Sequence, residues 1–530
     1  MGRWKIGGNS INDYVCSGCY RIVPRSECFA ELLNYGQLEL PVPRSSGCYR
    51  IVPRSGCFAE RYDSNSGIKR YFAPHSAYLC SPNPAQKVSL NISYNRIWSI
   101  AYPIILGSVA QNLINVTDTA FLGRVSEVAL GASAIGGMFY LVFINLGLGF
   151  GTGAQIIIAR RFGEGDKKMI GKTFDHALYF MLPLSILAFL VLYAFSDDIL
   201  RPLVSSDAIY AASIEFLDYR VFGIFFAFAQ ILFRSFYIGI ARTQIITWST
   251  LVMAVVNIFL DYALIFGNWG FPEMGIKGAA LASVIAEGTA IAYLVINTQL
   301  KKHPINFKLY QFNTWDKALF VRNYKLASPI MLQNFLSLGV WFVFFLFVEK
   351  LGEQALAISN IIRSIYIVLM IPIWGFASAA NSMVSYLIGM RKQGYIMLLL
   401  RRILLMCVGG VLLFVLASVA WPEAILSVYS SDQGLIQKSI PVLYTVNFSA
   451  IALAIGFVLF NGVLGTGKTN VSFVIEMIVL GFYVSYVYTL TNYYNADIAL
   501  VWTSELLYGV LLTSLSWLYL KKGNWAAGKI

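Results

Sequence analysis

Twelve apolar stretches separated by short polar breaks occupy residues 97 to 519, and no other feature restricts the fold as much. They fall near 97–121, 128–152, 174–196, 211–235, 246–267, 276–298, 327–348, 355–380, 398–420, 438–462, 470–491 and 497–519. Each has about the 20 residues that a helix needs to cross the hydrocarbon core, and only helices or closed barrels can satisfy their backbone there. A charged share of 13% against about a quarter in soluble proteins excludes a soluble globular chain. The expected fold class is therefore an all-α polytopic membrane protein with twelve transmembrane helices.

The breaks alternate in charge. One set carries Arg160, Arg161, Lys167 and Lys168, then Arg242, then Lys301 to Lys325, then Arg391, Lys392, Arg401 and Arg402, then Lys468, then Lys521, Lys522 and Lys529. The other set has few basic residues and holds Asp197, Asp198, Glu273, Glu423 and Asp432. Basic loops stay in the cytoplasm, so both termini are expected there, and the net charge of +13 reflects topology rather than nucleic-acid binding.

Shifted by 226 residues, the chain matches itself. Pro103 falls on Pro329, Glu127-Val-Ala-Leu130 on Glu353-Gln-Ala-Leu356, Gly149-Phe150 on Gly375-Phe376, and Gly163 on Gly389. Six spans separate equivalent positions, so the halves run parallel, an arrangement that places a transport path at the repeat interface. The expected domains are a first six-helix lobe over 91–300, a cytoplasmic linker over 301–325 and a second lobe over 326–530.

Residues 1–90 are unlike the rest. A near-duplicate, Ser17–Glu31 and Ser46–Glu60, lies among eleven Lys or Arg, six Asp or Glu, and six of the seven cysteines. Cys16 and Cys19 form a lone CxxC without the second close pair that a zinc site needs. The segment reads either as a disordered basic extension or as sequence translated ahead of a true start near Val88 or Leu90.

Asp118 is the costly residue of the first span, since a carboxylate within a membrane helix is paired or functional by default. Asn115 and Gln111 share its face at helical spacing. The fifth span carries Asn257 and Asp261 at i, i+4, and the sixth carries Ser283 and Glu287 at the same spacing. Asp118, Asn257, Asp261 and Ser283 can converge on one H⁺, or supply the oxygen ligands of one Na⁺. Gln111, Asn115 and Glu287 are further polar candidates for a cavity. The plain alternative for Asp118 and Asp261 is an acid near a helix end that reaches water. Glu476 and Glu505, in the last two spans, are the second lobe's candidates, and Arg234 and Arg363 are basic groups available to pair with any of these acids. The aromatics are read as packing and lipid-facing residues, with some available to a cavity for flat cations.

Gly462 to Thr469 fits the phosphate-loop pattern GxxxxGK[ST]. That loop works between a strand and a helix, whereas a membrane span precedes it here, so a tight turn is expected and no ATP site. An intramembrane enzyme is disfavoured as well, because no span holds a histidine pair, GxSxG or HExxH. No metal cofactor is expected, the three histidines being scattered.

Residues 92 to 522 resemble the multidrug and toxic compound extrusion (MATE) transporters. The resemblance rests on Pro103 with Gln111 and Asp118-Thr-Ala-Phe-Leu-Gly123, on Asn257-Ile-Phe-Leu-Asp261, on Gly275-Ile-Lys-Gly-Ala-Ala-Leu-Ala-Ser283, and on the glycine turns after the fourth and tenth spans. It implies two six-helix lobes around a central cavity and export of organic, often cationic, compounds in exchange for H⁺ or Na⁺. It also implies a first-lobe coupling site at Asp118, Asn257, Asp261 and Ser283. The chain departs from branches of the family that place acids in the seventh and tenth spans, since Phe344 stands in the middle of the seventh and the tenth has no acid. The segment from Trp502 to Leu520 resembles members from the Bacteroidetes, which implies a bacterial inner membrane. The expected partners are small organic substrates and the bilayer, with the protein a monomer. An exporter or flippase of lipid-linked saccharide precursors is the alternative function.

Overall fold

In a computed structural model the described residues are 92–523, apart from 313–314, 431 and 495, together with Trp525 and short strand segments between residues 5 and 80. The chain divides into two units, Met1–Asn91 and Ile92–Ile530. In the first, the corresponding segments of the sequence duplication, Tyr20–Pro24 and Cys48–Pro53, pair antiparallel, with Ile22 opposite Ile51. Cys16 of the CxxC ends a strand, Val15–Cys16, while Cys19 lies outside the described residues, as do the two readings of the extension, disordered or translated ahead of the start.

The second unit is helical. Its elements are α1 (Tyr94–Val125), α2 (Glu127–Glu164), α3 (Lys167–Ala194), α4 (Ser196–Leu200), α5 (Asp207–Arg220), α6 (Gly223–Gly239), α7 (Gln244–Phe266) and α8 (Ile276–Leu300). Then follow α9 (His303–Phe307), α10 (Lys317–Glu349), α11 (Glu353–Gly389), α12 (Ile396–Ala420), α13 (Pro422–Leu426), α14 (Gln433–Gly465), α15 (Thr469–Asn492), α16 (Ile498–Val501) and α17 (Ser504–Lys522). Among the described residues, eleven helices are long and apolar enough to cross a membrane, and α5 with α6 makes the twelfth span. The ends follow ordinary capping chemistry: Ser93, Ser126, Asp166, Asp316 and Asp432 each accept a backbone N–H at a helix start.

The fourth span departs from the straight helix that its apolar run suggests. It bends by 56° between Arg220 and Gly223, while its repeat counterpart α14 continues unbroken for 33 residues. Gly223 lies where a Cβ would meet the Arg220 guanidinium and come within 2.6 Å of Glu287 Oε2. The bend thus folds the chain around a buried ion pair.

The lobes meet through α1, α2, α10 and α11. Their contacts use small residues: a Cβ on Gly149 would lie 2.5 Å from Met331 Cα, and one on Gly153 2.7 Å from Ala327 Cβ. At the basic ends of the helices Gly163 and its repeat equivalent Gly389 face each other, and a Cβ on Gly163 would fall 3.2 Å from Gly389 Cα and overlap Tyr386 O. Around them Arg160 of α2 donates to Thr466 O at 2.8 Å, and Ser382 of α11 donates to Ile238 O at 2.9 Å. Each lobe therefore grips the other's fourth-to-fifth-span turn. Those turns are tight: Gly467 sits at φ +80° and its equivalent Ala241 at φ +54°. The GxxxxGK[ST] sequence accordingly runs from the end of α14 through this turn into α15.

The linker is fastened to α3. Asp175 accepts the N–H groups of Tyr310 and Gln311, both at 2.8 Å, His176 Nε2 accepts that of Asp316 at 2.9 Å, and Lys172 bridges to Asp316 at 2.8 Å.

Candidate functional site

Four of the sequence-derived residues come together in the half of the first lobe away from the basic loops. α7 packs between α1 and α8, and this brings Asp118, Asp261, Asn257 and Ser283 onto adjoining faces. The Asp118 and Asp261 carboxyls face one another at hydrogen-bonding range. Asn257 Nδ2 donates to Ser283 Oγ at 3.5 Å, which leaves its amide oxygen turned inward. Asp261 and Asn257 are buried at 0% and 1% exposure. Asp118 Oδ1, both Asp261 oxygens and Asn257 Oδ1 are buried without a donor.

This is a cluster of acceptors with no cation in hydrogen-bonding contact, although the Arg220 guanidinium acts on Asp118 through space. Two carboxylates in contact repel unless a proton or cation lies between them. The oxygens suit a proton, or a monovalent cation held by carboxylate, amide and hydroxyl groups; no cluster of three His, Cys, Asp or Glu suited to a metal ion occurs among the described residues. On the basic side the site rests on an apolar floor of Ile114, Met253, Ala254, Ala286 and Ala290. These lie one to two turns from the site residues of their helices, on the side toward the basic loops.

The other candidates lie apart from the quartet. Gln111 and Asn115 are exposed on the same helix as Asp118. Glu287 takes the Arg220 guanidinium at both oxygens, at 2.5 and 3.0 Å, and Arg220 also lies 4.0 Å over the Tyr140 ring and donates to its hydroxyl at 3.2 Å. Arg220 therefore fills the role that the sequence offers to Arg234 or Arg363, neither of which pairs with an acid among the described residues. It lies within the fourth apolar run, and a basic residue inside a span was the signal that would have found it. The pair is nearly dry, with both side chains under 15% exposed, and it fixes the α5–α6 bend against α8.

Comparison with known proteins agrees with this fold. The MatE family profile matches residues 103–263 and 329–489, once in each lobe and with the same offset as the internal repeat. A probable multidrug resistance protein NorM of Thermotoga maritima is 24% identical over 444 residues, 80% of this chain and 92% of the relative. Its Synechocystis counterpart is 25% identical over 341 residues, 62% of this chain and 72% of the relative. The Vibrio cholerae MATE transporter VcmN superposes with a TM-score of 0.75 at 19% identity, over 82% of this chain and 98% of that one. A MOP superfamily transporter of Pyrococcus furiosus gives 0.73 at 18%, over 81% and 95%, and at such identities the likeness is one of fold. With its two matched lobes and twelve-span bundle, the chain belongs to the MatE family of multidrug efflux transporters, which are membrane carriers and not enzymes.

Proposed function

We propose that this transporter exports organic, predominantly cationic, compounds from the cytoplasm across a bacterial inner membrane, driven by inward H⁺ or Na⁺ loaded at Asp118 and Asp261. The observation that carries the reading is the facing carboxyl pair whose buried oxygens have no donor. A site of acceptors alone is strained when empty and relieved when a cation enters, so loading favours one arrangement of the lobes over the other. A ligand shifts such an equilibrium only by its differential affinity for the two states. Asn257 and Ser283 complete the oxygen set, the apolar floor keeps the loaded cation from leaking toward the basic side, and Glu287 with Arg220 holds the neighbouring bend. Both termini lie in the cytoplasm in this reading, and the protein works as a monomer without ATP.

The test is drug resistance in an efflux-deficient bacterium. Asp118→Asn, expressed at the wild-type level, is expected to abolish resistance to cationic dyes and drugs, and wild-type resistance would overturn the coupling role. Proteoliposomes energised by ΔpH or by ΔNa⁺ then identify the ion. Binding of lipid-linked saccharide precursor in place of cationic dye would reassign the substrate.

A further inference from the structure

The second lobe has no acid at the position of Asp118, where Phe344 stands, yet it buries two acids of its own. Glu476 of α15 and Glu505 of α17 are 2% and 3% exposed. Neither has a basic partner among the described residues. Glu505 lies near the second-lobe counterpart of the first-lobe site, while Glu476, the equivalent of Thr250, lies nearer the basic ends of the helices. Tyr483 and Tyr366, which donate to Glu505 Oε1 at 3.0 Å and Oε2 at 2.9 Å, are the repeat equivalents of Asn257 and Tyr140. Phe344 itself packs 6.1 Å from Tyr483 and 5.2 Å from Trp502.

The two carboxyls are hydrogen-bonded differently. Glu505 receives one hydroxyl on each oxygen. Glu476 receives both of its donors, Ser337 and Tyr508, on Oε1, each at 2.8 Å, and its Oε2 is buried with no partner. Two donors on one oxygen and none on the other is the pattern of a carboxylic acid, whose carbonyl accepts and whose hydroxyl sits on the bare atom. A charged Glu476 would instead leave an unsolvated, unpaired oxygen in the lobe interior, at a cost that burial makes large. Tyr508 and Tyr483 meet edge to face at 6.1 Å, so their rings pack between the two acids.

From this geometry we propose that Glu476 is a second proton-loading group, which takes one proton at Oε2 in the second lobe. Proton uptake converts the Glu476 carboxylate to the acid, and release restores it. The groups facing it are Tyr483 from its own helix, Tyr508 and Glu505 from α17, Tyr366 from α11 and the Ser337 hydroxyl from α10; Arg363 of α11 is spent 5.3 Å over the Phe345 ring. The proposal deepens the coupling reading by adding a load to the other lobe, and its residues are separate from that site.

Infrared difference spectroscopy of the full-length protein in nanodiscs, between neutral and alkaline pH, tests it. A protonated-carboxyl band is expected that persists in Asp118→Asn/Asp261→Asn and disappears in Glu476→Gln. Should Glu476→Gln fail to fold, Tyr508→Phe and Ser337→Ala each remove one donor to Oε1 and are expected to move that band without abolishing it. Loss of the whole band in Asp118→Asn/Asp261→Asn, an unmoved band in the Tyr508 and Ser337 variants, or its replacement by Na⁺ at constant pH would each overturn the proposal. Failure of the first-lobe reading has a different signature: drug resistance unaffected by Asp118→Asn.

Discussion

Gly163 and Gly389, equivalent residues of the two lobes, lie back to back where α2 and α11 end, so close that neither site has room for a methyl group. Gly163→Ala and Gly389→Ala are each expected to pry the basic ends of the lobes apart. Overpacking of this kind costs about 1–3 kcal/mol. The thermal midpoint in detergent should fall for both variants, while Gly137→Ala, where a Cβ meets nothing within 4 Å and Ala favours the helix over Gly, should hold or raise it.

The Arg220–Glu287 pair is expected to matter more when broken than when deleted. Arg220→Ala leaves Glu287 buried without a counter-charge, a loss of about 3–5 kcal/mol by precedent for buried pairs. Arg220→Met with Glu287→Leu removes both charges and should recover much of that loss. Thermal unfolding of the two single variants and the double variant measures the coupling.

Asn257→Leu separates the two driving ions. A proton needs only the carboxyls, so ΔpH-driven transport should persist within about twofold, whereas a sodium ion loses an oxygen ligand and its half-saturation concentration should rise about tenfold or more. Transport rates in proteoliposomes against ΔpH and against Na⁺ concentration read the difference.

The linker gives a dependence on pH. The Lys172 ammonium, with the N–H groups at the start of α10, holds the Asp316 carboxyl down from 3.8 to about 2. A lowered carboxyl stabilises the fold fully above its unfolded value and loses that contribution as pH falls through its folded value. The stability gap between wild type and Asp316→Asn should therefore be constant above about pH 4 and close as pH approaches 2. Melting curves across acid pH check it.

Ala241 occupies a left-handed conformation for which its equivalent, Gly467, is suited. Ala241→Gly is expected to stabilise by about 1 kcal/mol, since a side chain there costs about 1–2 kcal/mol. Gly467→Ala should destabilise by a similar amount. Paired thermal melts compare them.

The spans and the repeat were legible because bilayer thickness and duplication both leave marks along the chain, Pro103 against Pro329 being the plainest. The convergence of Asp118 with Asn257 and Asp261 was legible too, from helical spacing and resemblance. The bend at Gly223 was not. The run from Phe222 to Phe228 is uniformly apolar, and the break follows from a tertiary contact, the ion pair folding the backbone around itself. Arg220 went unrecognised as the partner of Glu287 because 67 residues and three turns of chain separate them. The different hydrogen bonding of Glu476 and Glu505 depends on which tyrosines reach them, and no periodicity encodes that.

The fastening of the linker to α3 has a mechanical consequence. Tyr310, Gln311 and Asp316 are anchored to Asp175, His176 and Lys172, so this stretch behaves as a bracket rather than a slack cord. Because Asp316 also caps α10, a tilt of α10 against α3 must strain these bonds first.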